Sequence, residues 1–196
     1  MRTLWSIFAG IAALSIPCAA QQLKVVKNAP FSATATTEFR QALADGNMLT
    51  RTTSGAMARD TEGRTRREEI RNNVTVVFIH DPVTGVAWVL DSGSRTARRF
   101  PLVATEVAVE PRDLASNSRV TQESAGRNSL GANVIDGIDV QGTQLTRVLA
   151  SGEAGSERPI EVAVETWYSS ELQIVVTSKT TDPRVGETAY KLSAIQ

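Results

Sequence analysis

The chain has 196 residues and a mass of 21.1 kDa, which suits one domain with a single core and is too short for two independent ones. Apolar residues make up 41% and charged residues 21%, a balance that excludes a disordered polyelectrolyte and a protein with several membrane spans. Because 21 basic residues match 21 acidic ones, the net charge gives no reason to expect nucleic acid, or an anionic membrane as the main partner.

The first twenty residues have the order of a secretory signal peptide. Arg2 precedes an apolar run over residues 4–14, and Pro17 and the small residues 18–20 follow it. The apolar run is too short to span a bilayer. We therefore expect cleavage after Ala20, a periplasmic or secreted location, and no transmembrane segment in the mature chain.

Cysteine and histidine each occur once, as Cys18 and His80. Cleavage after Ala20 removes Cys18, so the mature chain has no disulfide, no cysteine nucleophile and no sulfur ligand for zinc. The alternative is a lipid-modified Cys18, as in bacterial lipoproteins, and the adjacent Pro17 argues against it. One histidine excludes metal sites that need two or more. The sequence predicts no metal site and no cofactor.

The mature chain is punctuated by turn signals at regular intervals. Residues 21–30 are predicted to be a flexible leader that ends at Pro30, and residues 31–196 to be a single antiparallel β domain. Asp-Gly dipeptides supply the positive φ angles of tight hairpins, and Asp-Pro-x-x-Gly is typical of a turn. The spacers between such signals have the length of strands. The signals lie at residues 45–47, 60–63, 72–73, 81–85, 91–94, 136–137 and 182–186.

The segments between the turns alternate with the period of strands. Apolar residues alternate with others around Val162 and Ile174, as in strands with one face on a core. Residues 74–80 and 86–90 are apolar on both faces, so we expect them mid-sheet and covered on both sides. The predicted fold class is all-β: one curved antiparallel meander, with halves at residues 31–101 and 129–196. The sequence predicts at most short helices, and residues 101–128 are the irregular segment in which a short helix or a lid could lie.

Residues 64–71 are charged on both faces of their predicted strand. We interpret them as a hairpin arm with cross-strand ion pairs that protect against edge-to-edge aggregation. The alternative is an interaction surface formed by Arg64, Arg66 and Arg67. The intervening Glu68 and Glu69 dilute that positive field.

Catalytic motifs are absent from the sequence: it contains no phosphate-binding glycine loop and no nucleophile elbow. His80 and Ser92 are residue types of a catalytic triad. We do not expect them to form one, because the hairpin turn at residues 81–85 places Ser92 a strand's length away from His80. Glu161 and Glu165 share a strand face, as alternation produces on any solvated strand. The sequence therefore predicts a protein that is not an enzyme.

Several segments resemble a family of uncharacterised secreted proteins of soil Acidobacteria. They lie at residues 42–47, 60–68, 81–86, 155–160, 165–168 and 182–187 and span most of the mature chain. More weakly, the order of a meander, a Gly-spaced hairpin and a late Trp strand resembles the LolA-like fold of lipoprotein carriers and of the RseB sensor domain. That resemblance implies a curved half-barrel whose apolar concave face shelters acyl chains.

The predicted function is that of an exported, non-catalytic binding or carrier module. A lipid or other apolar ligand would lie on the concave face, and the alternative is an envelope interaction or stress-sensing domain that meets a protein partner through a sheet edge or the charged arm. No nucleic acid is expected. The predicted ligand-binding residues are Val76, Phe78, Trp88, Leu90, Val162, Val164, Ile174 and Val176.

Export gives the first testable prediction. The mature protein isolated from the envelope should begin at Gln21, because the charged start, apolar run and small-residue site occur in the required order. N-terminal sequencing measures this directly. Soluble protein that still begins with Met1 would contradict it, and a diacylglycerol mass on Cys18 would show lipidation instead.

Overall fold

The computed structural model describes residues 25–71, 73–102, 125–152 and 155–196, and these are almost entirely strands and turns. The predicted signal peptide, the leader up to residue 24 and most of the predicted irregular segment lie outside them. The strands are β1 Phe31–Ala42, β2 Met48–Arg59, β3 Thr65–Arg71, β4 Val74–Asp81, β5 Val86–Asp91, β6 Thr96–Pro101, β7 Ala125–Ile135, β8 Ile138–Leu149, β9 Ile160–Ser169, β10 Ile174–Asp182 and β11 Gly186–Ser193.

The strands form one sheet of 11 strands in the order β6-β5-β4-β3-β2-β1-β11-β10-β9-β8-β7. Every pairing is antiparallel. Two meanders, β1–β6 and β7–β11, meet where β1 pairs with β11 over residues 34–40 and 187–193. The predicted curved antiparallel meander in two halves is confirmed, although the second half begins at Ala125 rather than at residue 129.

Aspartates at the starts of the turns hold the hairpins together. Their carboxylates accept backbone N–H bonds from residues two or three positions ahead, at 2.8–3.1 Å, the pattern of an Asx turn. The pKa of each carboxyl lies below its usual value, mainly through these backbone bonds at two of the aspartates, Asp45 and Asp91. At the other three, side-chain hydrogen bonds from Arg64, Thr84 and Arg184 contribute most and the backbone bonds add to them. The aspartates are Asp45, Asp60, Asp81, Asp91 and Asp182. Local chemistry therefore closes five of the turns.

The two faces of the sheet follow from the register, because directly paired residues on neighbouring strands point to the same side. We call the side that carries Phe31, Ala33 and Ala35 of β1 the Phe31 face, and the other side the Ser32 face. Leu192 pairs with Ala35, and Met57 pairs with Ala33, so both belong to the Phe31 face.

The sheet curls towards the Phe31 face. Arg59 of β2 lies on this face and its guanidinium donates to the carbonyl of Leu172, in the turn before β10. In a flat sheet β2 and β10 would be three strand spacings, or about 14 Å, apart. The backbone N–H of Ile195 likewise reaches the carboxylate of Asp136, at the tip of the β7–β8 hairpin, at 2.9 Å. The Phe31 face is therefore concave at this end.

The core lies at the curled end of the sheet. Val176 and Leu192 are fully buried, and Tyr190 and Met57 pack against the cluster from neighbouring strands. The buried members are Phe31, Ala33, Val140, Leu172, Ile174, Val176 and Leu192. No helix or second sheet covers the core within the described ranges. Curvature of a single layer therefore excludes the water here.

Arg59 links the two halves of the chain at this core. Its Nε donates to the carbonyl of Ala29 at 2.8 Å, its terminal nitrogen donates to Leu172, and its guanidinium stacks on the Phe31 ring at 5.0 Å. The residue is 8% exposed, and burial lowers the pKa of its guanidinium. Both carbonyls would lose their donor if Arg59 were replaced by an apolar residue.

One expectation about strand position is wrong. Residues 74–80 and 86–90 were expected mid-sheet, but β5 is second and β4 third from the edge. The Trp88 side chain on β5 is 36% exposed rather than covered. Apolar residues on both faces of a strand reflect burial only where another layer exists, and the described chain has a single layer.

Replacing Arg59 tests its bridging role. We expect Arg59→Met to lower the free energy of unfolding by about 2–3 kcal/mol, because two carbonyls at the core lose their charged donor. Urea unfolding followed by circular dichroism measures the change. Arg66→Met is the matched control on a half-exposed arginine, and it should cost less than about 0.5 kcal/mol. Equal losses in the two variants would contradict the bridge.

The turn aspartates predict a dependence of stability on pH. The pKa of Asp182 lies below its usual value because Arg184 bonds its carboxylate through side chain and backbone. A carboxyl whose pKa is lower in the folded than in the unfolded protein stabilises the fold above the unfolded pKa, and this contribution is lost as the pH falls through the folded pKa.

We therefore expect the free energy of unfolding to fall between about pH 5 and pH 3. Asp182→Asn should lose about 1–2 kcal/mol at pH 7 and respond less steeply to acid, because the amide keeps its acceptor but not its charge. Denaturant unfolding at several pH values measures both effects. An unchanged acid slope in the variant would exclude Asp182 as a source of the dependence.

Candidate functional site

The register divides the predicted ligand-binding residues between the two faces. Phe78 pairs with Val89, whereas Trp88 pairs with Ile79 and Leu90 with Val77, so Trp88 and Leu90 point away from Phe78. Phe78 continues through Arg67 and Met57 to Ala33, on the Phe31 face. By alternation Val76 lies there too, and Trp88 and Leu90 lie on the Ser32 face. The eight predicted residues therefore do not line one surface.

Two of the predicted residues belong to the core of the protein itself. Val176 is 0% and Ile174 9% exposed. A bulge between Val175 and Thr177 interrupts the pairing of β10 with β9 beside them. Because the protein's own side chains already cover these two, they offer no free apolar surface to a ligand.

The four remaining predicted residues share the Phe31 face but not one place on it. Val76 and Phe78 lie on β4, and Val162 and Val164 lie on β9, with five strands between. Along the sheet this separation is about 29 Å. The Arg67 guanidinium also lies over the Phe78 ring at 5.0 Å. Arg67 therefore covers part of the β4 pair, and the four residues form two separate places on this face.

A row of side chains crosses the Phe31 face at Val164. Unbroken cross-strand pairing joins five residues of five neighbouring strands, which we call the Val164 row: Leu145, Val164, Thr180, Thr188 and Phe39. Leu145 is 40% exposed, and the Val164 and Phe39 side chains are half-buried. The row lies eight residues along β1 from Phe31, away from the closed end. It is therefore a partly exposed strip about 19 Å long on the Phe31 face, apolar at three of its five positions.

An arginine stands at each end of the Val164 row. Arg127 of β7 pairs with Leu145, and Arg51 of β2 pairs with Phe39. Both arginines are exposed, and neither forms an ion pair with any residue that the structure describes. Sequence reasoning missed Leu145 and Phe39, because their membership of one row depends on the pairing of β1 with β11.

The charged arm neutralises itself. Arg64 bonds Asp60 at 2.6 Å and Glu62 at 3.1 Å, and the pKa of its guanidinium is held above the usual value by Asp60. Arg66 pairs with Glu68, and Arg67 pairs with Glu69 at 2.7 Å. Arg66 and Arg67 pair with residues two positions along the same strand, and Arg64 pairs within the turn before β3. None of these ion pairs joins neighbouring strands, so the prediction of cross-strand pairing is wrong for them.

The described residues contain no assembled catalytic group. His80 pairs with Ala87, whereas the Ser92 hydroxyl accepts the backbone N–H of Thr75 at 2.8 Å, five residues away along β4. Five residues of strand span about 17 Å, so His80 and Ser92 do not meet. The carboxylate of Glu165 accepts the indole N–H of Trp167 at 2.6 Å. These candidates therefore have structural partners instead of each other.

Metal-binding clusters, membrane-spanning helices and enclosed pockets are the remaining features that bear on function. No group of three or more His, Cys, Asp or Glu side chains in the described ranges could hold a metal ion. No helix in the same ranges is long and apolar enough to cross a membrane. A recess of about 170 Å³ lies beside β5 and β6, lined by Val89, Asp91, Ser94, Thr96 and Arg98. This volume is below the roughly 300–1,000 Å³ usual for small-molecule pockets.

The chain is similar to several solved structures. The alignment with a chain of the MucA/MucB complex of Pseudomonas aeruginosa spans 90% of this chain and 54% of that one, with a TM-score of 0.47 and 11% identity. The alignment with the lipoprotein LppX of Mycobacterium tuberculosis spans 89% of this chain and 90% of LppX, with a TM-score of 0.40 and 15% identity.

A LolA superfamily protein of Nitrosomonas europaea is similar over 90% of both chains, with a TM-score of 0.36 and 9% identity. No known protein family and no curated protein matches the chain. The predicted resemblance to secreted proteins of Acidobacteria therefore stays an expectation. At these identities no residue of a neighbour can be transferred to this chain.

Proposed function

We propose that the protein is an exported, non-catalytic binding or carrier module that holds an acyl chain along the Val164 row. The observation that carries the proposal is the single-layer sheet: its concave face is closed over a core at one end and presents the row, partly exposed, at the other. An elongated apolar ligand would cover Leu145, Val164 and Phe39 without displacing any core residue.

The shape of the row limits the chemistry of the ligand. Thr180 and Thr188 interrupt its apolar side chains, so a flexible chain that contacts methyl groups suits it better than a broad rigid ring. Arg51 or Arg127 could pair with a charged head group at either end. We therefore propose a fatty acyl chain with an anionic head group as the ligand class.

The alternative function receives less support from the same geometry. A sensory or interaction domain that used Arg64, Arg66 and Arg67 would have to break the ion pairs that these residues form with neighbouring carboxylates. Among the residues that the structure describes, no comparable side-chain pairing covers the Val164 row. An envelope protein partner at a sheet edge stays the second candidate.

Ligand titration tests the proposal. A fluorescent fatty acid should bind the wild-type protein at micromolar concentration, a free energy of roughly −8 kcal/mol. Leu145→Gln/Val164→Gln should weaken binding at least tenfold, because two apolar contacts are replaced by polar groups that lose water on binding. Fluorescence titration measures the affinity, and thermal unfolding shows that the variant is folded.

The matched control is Trp88→Gln, which changes an apolar residue of similar exposure on the Ser32 face. It should change the affinity by less than about twofold, since the indole points away from the row. Absence of saturable binding by the wild-type protein would refute the proposed function. If the affinity falls equally in the double variant and in Trp88→Gln, the ligand does not bind at the Val164 row.

A further inference from the structure

The β6 edge is a second distinctive surface, formed by residues 95–101 at one border of the sheet. All six residues of β6 are exposed. Arg95, Arg98 and Arg99 lie here, and no acidic residue occurs between Ser92 and Leu102. The zero net charge of the whole chain conceals this local excess of positive charge.

Within the described ranges, no carboxylate pairs with the arginines of the β6 edge as carboxylates do with those of the charged arm. Arg95 and Arg99 make no ion pair with any residue of the described ranges, and Arg98 acts only from a distance on Asp91. Arg98 pairs with Val89 on the Phe31 face, and Arg99 with Trp88 on the other. The edge therefore presents guanidinium groups on both sides of its strand.

The backbone of β6 also has donors that no strand in the described part of the chain uses. Leu102 donates to Gly85 at 2.9 Å, and in this register Phe100, Arg98 and Thr96 direct their backbone groups to β5. The intervening Pro101, Arg99 and Ala97 therefore direct theirs outwards. Proline has no N–H, which obstructs pairing by a strand of another protein, while Arg99 and Ala97 keep amides that can bond phosphate oxygens or water.

Exposed aromatic side chains flank the arginines. Phe100 on β6 is 46% exposed, and Trp88, which pairs with Arg99, is 36% exposed. Aromatic rings favour the interface between lipid and water, where guanidinium groups meet phosphate. A basic edge strand with one aromatic residue of its own and another on the neighbouring strand, on opposite faces of the sheet, has the composition of a surface for anionic lipid rather than for a folded acidic protein.

We propose that the β6 edge docks on the surface of a bilayer that contains anionic phospholipid. Arg95, Arg98 and Arg99 bind head-group phosphates, and Phe100 rests between the head groups, with β6 lying along the membrane surface. The docking rests on charge complementarity and is independent of the ligand proposed for the Val164 row.

Vesicle sedimentation tests the docking. The full mature protein should bind vesicles that contain phosphatidylglycerol and not vesicles of phosphatidylcholine alone, and added salt should weaken this binding. Arg95→Gln/Arg98→Gln/Arg99→Gln should weaken it about a hundredfold, since each arginine near an anionic surface contributes to the affinity. Phe100→Ser keeps every charge and should weaken binding about tenfold.

The matched control is Arg64→Gln/Arg66→Gln/Arg67→Gln, which changes the net charge by the same amount and should weaken binding by less than about threefold. Leu145→Gln/Val164→Gln should bind vesicles as the wild type does, which separates this test from that of the ligand. The proposal is overturned if the wild type shows no preference for phosphatidylglycerol, if the two triple variants lose equally, or if Phe100→Ser retains full binding.

Discussion

The pairing of β1 with β11 is the contact on which the rest of the structure depends. It joins the first strand in the chain to the last strand in the chain. Residues 34–40 therefore contact residues 187–193, from which most of the sequence separates them. Without it the two meanders would be separate sheets, each with an apolar face open to water. The bond from Arg59 to Leu172 also requires the halves to lie together. Contacts so distant in sequence close late and slowly, because the entropy of a long loop opposes them.

A single layer leads to an uneven concave face. Where the sheet curls most, its own side chains bury Phe31 and Leu192, and no second layer is needed among the described residues. Farther along the strands the curvature no longer closes the face, and the Val164 row stays partly exposed. The same property that limits the core to one end therefore creates the strip to which we assign the ligand.

The electrostatic effect of the arginines depends on whether carboxylates lie beside them, and not on their number. The charged arm holds three arginines beside carboxylates two residues away, so its field is short in range. The β6 edge holds three arginines with no acidic neighbour on its strand, so its field extends into solvent. The chain is neutral in total. Only the spatial grouping distinguishes an inert charged strand from a basic edge.

The sequence by itself determined the class of fold, the turns and the meander within each half, because Asp-Gly and Asp-Pro chemistry and period-two alternation act between neighbouring residues. Alternation also separated the two faces within each strand. It does not show which faces of different strands coincide, which is why the predicted ligand site combines Trp88 with Phe78 and includes the core residues Ile174 and Val176. The tertiary structure alone decided the pairing of β1 with β11, the end at which the sheet curls, the rows that cross it and the strands left at its edges. These depend on contacts between residues far apart in the chain, whose stability comes from packing and curvature that no local pattern contains.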